Sequence, residues 1–148
     1  MITYPLEFPV DAVMKSGIQS RWLTHTPSQE GSLTCAIPSE FEGPGGGYSP
    51  EDFFAMAAAN CFCATFKVIA EKSRVEYEGL TVAGRLTVDR DEGGRPWMKS
   101  MRIEVTVAAG GGDPGRIERV LEKTAQSCLV IHSLKTAVTF DFKVLGTS

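Results

Sequence analysis

Four cysteines are the residues of this sequence best suited to chemistry, because a thiolate is both a nucleophile and a redox centre. Cys61 lies within a long apolar run. Cys128 follows Ser127, which we expect to cap a short helix, and the macrodipole at that helix start favours a thiolate. Free cysteine is also among the most buried residue types and usually behaves as a small hydrophobe. The residues alone leave both interpretations open.

The other two cysteines have a simpler interpretation. Cys63 lies two residues after Cys61, about 200° round a helix, so the two thiols cannot share one face. A Cys-x-Cys metal pair would need two more ligands, and the only histidines, His25 and His132, lack zinc-type spacing. We therefore assign Cys35 and Cys63 to the core and expect no metal and no cofactor.

His132 offers an alternative chemistry. It lies four residues after Cys128, on the same face if that segment is helical. A thiol beside an imidazole is the arrangement of a Cys/His nucleophile. A single match at this spacing arises readily by chance, so an acyl hydrolase stays a candidate on these two residues alone.

Composition and charge exclude some classes of function. The 148 residues fit one domain, residues 1–148, with the 43% hydrophobic and 22% charged content of an ordinary globular protein. The formal net charge is −3 and no Lys/Arg run occurs, which argues against nucleic acid as a partner. No secretory signal is visible at the N-terminus. We expect a cytoplasmic protein with free thiols rather than a disulfide framework.

The element that must position Cys61 is a helix that follows the glycine-rich loop Gly43–Gly47. Ser49 fits the N-cap, Pro50 the first helical position and Asp52 the acidic member of a capping box. The loop lacks the Gly-Lys-Ser/Thr ending of a phosphate-binding P-loop. Flexible access to the cysteine-bearing helix is its simpler use.

This helix is apolar on every face from Phe53 to Ala70. Only Asn60, Thr65 and Lys67 interrupt the run. The lysine and the acidic start argue against a membrane span. A helix that is apolar all round must be covered all round. We therefore expect a sheet on one side and a second subunit of a homodimer on the other.

Strands surround this helix in the sequence. Alternating apolar residues predict strands over residues 18–26, 33–37, 80–90, 101–107 and 138–144. Turns at Pro27–Gly31 and at Gly93–Gly94 predict that the first two strands, and the next two, pair as antiparallel hairpins. A second helix starts at Pro114 with Asp113 as N-cap. Its apolar stripe at i, i+3, i+4 and i+7 consists of Ile117, Val120, Leu121 and Thr124. The order of elements predicts an α+β fold.

The whole constellation resembles the OsmC/Ohr family. The resemblance rests on the glycine-rich loop followed by residues 49–54, on Cys61-Phe62 ten residues after Glu51, and on Cys128 sixty-seven residues later. The sequence departs from the family pattern at Leu129, where proline is common. The resemblance implies an intertwined homodimer with active sites between subunits, and thiol-dependent reduction of organic hydroperoxides.

The resemblance also implies the roles of four residues. Cys61 would attack the peroxide and become a sulfenic acid, and Cys128 would resolve it into a disulfide that an external dithiol reopens. Glu51 would hold a catalytic arginine. The segment before the glycine-rich loop carries Glu40 instead of an arginine, so the role passes to Arg21 on the early strand.

Helix geometry bears on these roles. Glu51 lies roughly 15 Å along the same helix from Cys61 and about 80° round its axis. A Glu51 of the same chain could therefore not easily reach the site at Cys61. A carboxylate from a second subunit would remove this difficulty. Apolar residues near Cys61 favour bulky organic peroxides over hydrogen peroxide; they are Phe53, Phe54, Met56, Phe62 and Phe66.

A second class of function is a protein of the same fold without turnover. Such a protein would bind a small lipophilic ligand or sense redox state. Leu129 and the absence of an arginine just before the glycine-rich loop motivate this alternative.

Overall fold

A long helix, α1 (Pro50–Lys72), starts where the sequence predicts it. The Ser49 N–H donates to Asp52 Oδ2 at 2.9 Å, and the Asp52 N–H donates to Ser49 Oγ at 3.0 Å. This reciprocal capping box satisfies two backbone donors at the helix start. The computed structural model describes residues 1–146, which fall into two units divided within α1 after Phe53. The single domain expected over residues 1–148 stays a prediction.

The first unit, Met1–Phe53, contains a small antiparallel sheet in the order β1-β2-β3. Its strands are β1 (Asp11–Val13), β2 (Trp22–His25) and β3 (Leu33–Cys35). The hairpin of the last two strands is as predicted, but β2 is shorter than residues 18–26. The Ser20 hydroxyl caps a turn by donating to the Gly17 carbonyl at 2.7 Å, which keeps Ile18 out of the strand.

This first unit leaves many large apolar side chains uncovered. The fully buried hydrophobic residues of the unit are only Cys35 and Ala36. Its exposed apolar residues include Ile2, Tyr4, Leu6, Phe8, Val10, Val13, Met14, Ile18 and Leu23. Exposed apolar side chains in this number are typical of interaction surfaces.

The second unit, from Phe54 onward, contains a larger sheet in the order β4-β5-β6. The strands are β4 (Gly79–Arg90), β5 (Pro96–Ala108) and β6 (Ala137–Leu145). β4 and β5 form the predicted antiparallel hairpin, with a register shift at Thr87/Val88. β6 is parallel to β5. The connection between them contains α2 (Pro114–Ser127) and α3 (Leu129–His132), and it is long enough for the crossover that parallel strands need.

The core of this unit lies between one face of the sheet and the helices. The inward residues of β5, from Met101 to Val107, are at most 1% exposed, and Arg102 and Glu104 between them are exposed. α2 contributes the predicted stripe of Ile117, Val120, Leu121 and Thr124, and its N-cap Asp113 accepts from the Arg116 N–H at 3.1 Å. The class is α+β, as predicted.

The α1 helix buries one stripe in this core. Its fully buried residues are Ala58, Phe62, Phe66 and Ala70, spaced four apart. The Phe62 ring lies 5.7 Å from the Phe140 ring and 5.9 Å from the Phe142 ring, centroid to centroid. By length and composition alone α1 could also span a bilayer, with a mean hydropathy of 1.6. Its buried stripe makes it a core helix, and its other faces stay partly exposed.

Candidate active site

Two thiols that are far apart in the sequence meet in the second unit. Cys61 lies on α1 and is half-buried, and Cys128 is fully buried between α2 and α3. The Cys61 side chain lies close enough to the Cys128 thiol to raise its pKa, and both cysteines are free thiols. The structure therefore brings together the two residues to which the family resemblance assigned a redox role.

Cys128 occupies a break between two helices. Its backbone is extended, with φ −68° and ψ 111°, and its carbonyl accepts from the His132 N–H at 2.9 Å. The expectation that Ser127 caps the following helix was wrong. α2 continues through Ser127, Cys128 itself precedes α3, and no side chain caps α3.

Cys61 Sγ lies beside two groups besides Cys128. The Val130 N–H donates to it at 3.5 Å, and the Thr65 hydroxyl lies 4.0 Å away. Val130 belongs to the turn after Cys128, whereas Thr65 lies one turn further along α1.

Burial raises the pKa of the Cys128 thiol from its ordinary 9.0 to about 11. The negative charge and the hydrogen bond of Cys61 raise this pKa too, and a hydrogen bond from Thr65 lowers it. At neutral pH Cys128 holds its proton. The expectation of a Cys128 thiolate favoured by a helix macrodipole was wrong, because α3 is a single turn and burial dominates.

The His132 side chain does not pair with the Cys128 thiol. Its Nε2 contacts the Gln126 carbonyl, and the ring is exposed. The groups that act on the Cys128 thiol are Cys61 and Thr65, not His132. The Cys/His pair of the hydrolase hypothesis is therefore not formed, and the buried, protonated Cys128 lacks the adjacent base that such a nucleophile needs.

The other two cysteines take no part in this cluster. Cys35 is buried in the first unit, its thiol contacts the Leu33 carbonyl at 3.8 Å, and burial raises its pKa. Cys63 is half-buried on α1. Within residues 1–146 no group of three or more His, Cys, Asp or Glu side chains could hold a metal ion.

Arg21 lies against the glycine-rich loop of the first unit. Its Nε donates to the Gly45 carbonyl at 2.9 Å. Gly46 has a φ of +72°, and a Cβ at this position would lie 2.8 Å from Arg21 Nη2. The Gly45 N–H donates to the Ile37 carbonyl at 3.1 Å. The loop therefore positions the guanidinium, which is a more specific use than the flexible access we expected.

Glu51, in the first turn of α1, has an unsatisfied oxygen. Its Oε2 is buried and has no hydrogen-bond partner within residues 1–146. No ion pair joins Glu51 to Arg21 in the described part of the chain. A buried carboxylate oxygen without a donor is costly, so this atom lacks a partner that it needs.

Comparison with known proteins shows the family to which this chain belongs. The family model described as OsmC-like protein matches residues 43–143, more than half of the chain. The chain therefore belongs to the OsmC-like protein family. In the curated proteins it is similar to the uncharacterized protein YmaD of Bacillus subtilis, 26% identical over 103 residues, which cover 68% of this chain and 69% of YmaD.

Solved structures show that the fold is OsmC-like, as the resemblance implied. One is an OsmC-like protein of unknown function from Vibrio cholerae, with a TM-score of 0.79, 15% identity, and 93% of this chain and 99% of that one covered. Another is an organic hydroperoxide resistance protein OsmC from Legionella pneumophila, with a TM-score of 0.74, 18% identity, and 96% and 98% covered.

Two members of this OsmC-like thiol cluster were not predicted from the sequence. Thr65 was noted only as a polar interruption of the apolar helix, although its i+4 spacing from Cys61 places it on the same face. The Val130 N–H leaves no signal in a sequence, because a backbone donor depends on the conformation of the turn after Cys128.

The raised pKa of Cys128 predicts a loss of stability at high pH. Since the folded pKa lies above the unfolded value, the unfolded state loses this proton first, and stability present below pH 9 is lost as pH rises towards 11. The loss is on the order of 2 kcal/mol in the free energy of unfolding. Urea denaturation at pH 8 to 11 measures it.

Cys128→Ala is the control for this measurement. It keeps every other titrating group, so the difference between the two proteins isolates Cys128. Equal pH dependence of wild type and variant would contradict the raised pKa.

Proposed function

We propose that this protein is a thiol-dependent peroxidase that reduces organic hydroperoxides, with Cys61 as the reacting thiol and Cys128 as the resolving thiol. The observation that carries the proposal is the contact between the two thiols. Cys61 is the half-buried member and the one that accepts hydrogen bonds, whereas Cys128 is fully buried and protonated. This asymmetry supports attack by Cys61 and resolution by Cys128.

The chemistry needs no cofactor. The Cys61 thiolate attacks the terminal peroxide oxygen, the O–O bond breaks, and the products are a sulfenic acid and an alkoxide that takes a proton to become an alcohol. The Cys128 sulfur then forms the disulfide and water leaves. An external dithiol reduces the disulfide by exchange and returns both thiols.

We assign the activating guanidinium to Arg21 and its carboxylate partner to Glu51, both from the second subunit of a homodimer. The orphaned Oε2 of Glu51 needs a donor, and the distance along α1 keeps a Glu51 of the same chain away from Cys61. The exposed apolar side chains of the first unit and the partly exposed faces of α1 provide surface for such a dimer.

Organic peroxides fit this site better than hydrogen peroxide, although the lining differs from the expected one. Phe62 and Phe66 are fully buried in the core and cannot contact a substrate. Phe53, Phe54 and Met56 remain half-buried and available. The name of the Legionella relative, an organic hydroperoxide resistance protein, supports the same substrate class.

A reducing compartment suits this chemistry. Four free thiols persist where glutathione and thioredoxin systems operate, so we place the protein in the cytoplasm, in the response to oxidative stress. A redox sensor would use the same thiol pair without turnover. The absence of an Arg21–Glu51 ion pair within residues 1–146 favours it as the second candidate.

Cys61→Ser is predicted to abolish consumption of cumene hydroperoxide in the presence of a dithiol, lowering kcat/KM roughly a thousandfold or more. Cys63→Ser, two residues away on the same helix, is the matched control and retains the rate. Peroxide consumption in a coupled assay measures both variants.

Three outcomes would contradict this assignment. They are turnover that survives Cys61→Ser, equal rates with cumene hydroperoxide and hydrogen peroxide, and a disulfide that forms once without turnover. The last would support the sensor.

A mixture of two inactive variants tests the site between subunits. Arg21→Ala and Cys61→Ser are each predicted to be nearly inactive as homodimers. If Arg21 acts on the Cys61 of the partner, a heterodimer of the two variants retains one intact site. Co-refolding equal amounts should therefore give about a quarter of wild-type activity.

The matched control is a mixture of Cys61→Ser with Cys128→Ser. These two residues contact each other within one chain, so this mixture should recover no turnover. An Arg21→Ala and Cys61→Ser mixture that stays inactive although heterodimers are present would contradict the shared site.

A further inference from the structure

The Thr65 hydroxyl lies beside the Cys61 thiol. Thr65 is on α1 four residues after Cys61, and its Oγ1 lies 4.0 Å from Cys61 Sγ. A hydrogen bond from the same hydroxyl lowers the pKa of the Cys128 thiol. One half-buried side chain therefore acts on both sulfur atoms that would exchange bonds in the proposed peroxidase cycle.

This hydroxyl is not engaged by the backbone. A helical threonine commonly donates to the carbonyl four residues earlier. Thr124 on α2 does so, with its Oγ1 2.6 Å from the Val120 carbonyl oxygen. Within residues 1–146, Thr65 Oγ1 makes no such bond to a carbonyl and is directed to the sulfurs instead.

We propose that Thr65 is the hydrogen-bond donor that assists Cys128 when it resolves the Cys61 sulfenic acid. This inference rests on the proposed peroxidase function and adds a residue to its second step. In that step the Cys128 thiol loses its proton and its sulfur attacks the Cys61 sulfur. The S–S bond forms, the S–O bond breaks, and the departing hydroxide with that proton becomes water. Cys61 was oxidised by the peroxide, so no further oxidant is needed.

The charge on Cys61 determines when Cys128 can lose its proton. While Cys61 is a thiolate, its negative charge and its hydrogen bond keep the proton on Cys128. A neutral sulfenic acid carries no such charge, so oxidation of Cys61 removes that effect. The hydrogen bond from Thr65, which lowers the Cys128 pKa, then remains. Cys128 can therefore lose its proton only after Cys61 has reacted.

Within residues 1–146, Cys61 is the one titratable group that affects the pKa of the Cys128 thiol. Cys61, on α1, is the titratable group that acts on the Cys128 thiol, and within residues 1–146 no carboxylate, lysine or arginine does so. His132 of α3 has its Nε2 on the Gln126 carbonyl. Within residues 1–146, Thr65 is therefore the one side chain whose hydrogen bond lowers the pKa of Cys128.

The test is single-turnover oxidation of the full-length protein by one equivalent of cumene hydroperoxide, without reductant, from pH 6 to 9. Loss of free thiols and the disulfide mass report resolution, and a dimedone-type trap reports the sulfenic acid. Thr65→Val is predicted to slow disulfide formation about tenfold and to shift its pH profile up by about one unit. Sulfenic acid accumulates in this variant and is captured by the trap.

Three variants control this experiment. Thr65→Ser keeps the hydroxyl and should restore the wild-type profile. Thr124→Val removes a helical hydroxyl that touches neither sulfur and should leave the profile unmoved. Thr65→Ala also removes the hydroxyl, and alanine favours the helical conformation. This variant replaces Thr65→Val if Thr65→Val does not fold.

The outcomes separate this inference from the proposed function. Wild-type and Thr65→Val profiles that coincide overturn the role of Thr65 while the peroxidase stands. If Thr65→Val forms less disulfide but its pH profile is unchanged, Thr65 has only a structural role. This result also overturns the inference. A wild type that forms no disulfide overturns the peroxidase proposal itself.

Discussion

The structure of this protein depends on burying a helix that is apolar on every face. The stripe of α1 from Ala58 to Ala70 packs in the core with β5 and α2, and this packing fixes the rotation of the helix about its axis. Since Cys61 borders that stripe, its sulfur meets the turn between α2 and α3. The same rotation brings Thr65 to the two sulfurs. Core packing therefore sets the geometry of the candidate site.

The second constraint is the break in the helix at Cys128. An extended residue between two helices places its side chain in the core while α2 and α3 continue on either side. Burial makes this thiol a poor acid, which suits the resolving role that we propose for it. A thiol that ionised readily there would place two negative charges side by side, at a cost in energy.

Local features of the fold were predictable from the sequence, and long-range contacts were not. The capping box of Ser49 and Asp52, the β4–β5 hairpin and the stripe of α2 follow from turn chemistry and periodicity. The contact between Cys61 and Cys128 spans 67 residues, and only the family resemblance indicated it. The spacing of His132, four residues after Cys128, was a misleading signal. His132 contacts a carbonyl instead of the thiol, and Cys128 itself has an extended backbone before α3.

The most direct test of the central claim is mass spectrometry of the non-reduced protein after one equivalent of an organic hydroperoxide, with the remaining thiols alkylated. The account predicts a peptide in which Cys61 is linked to Cys128, with Cys35 and Cys63 alkylated as internal controls. The link should be absent from Cys61→Ser. Recovery of Cys61 as an unreacted, alkylated thiol would contradict the account.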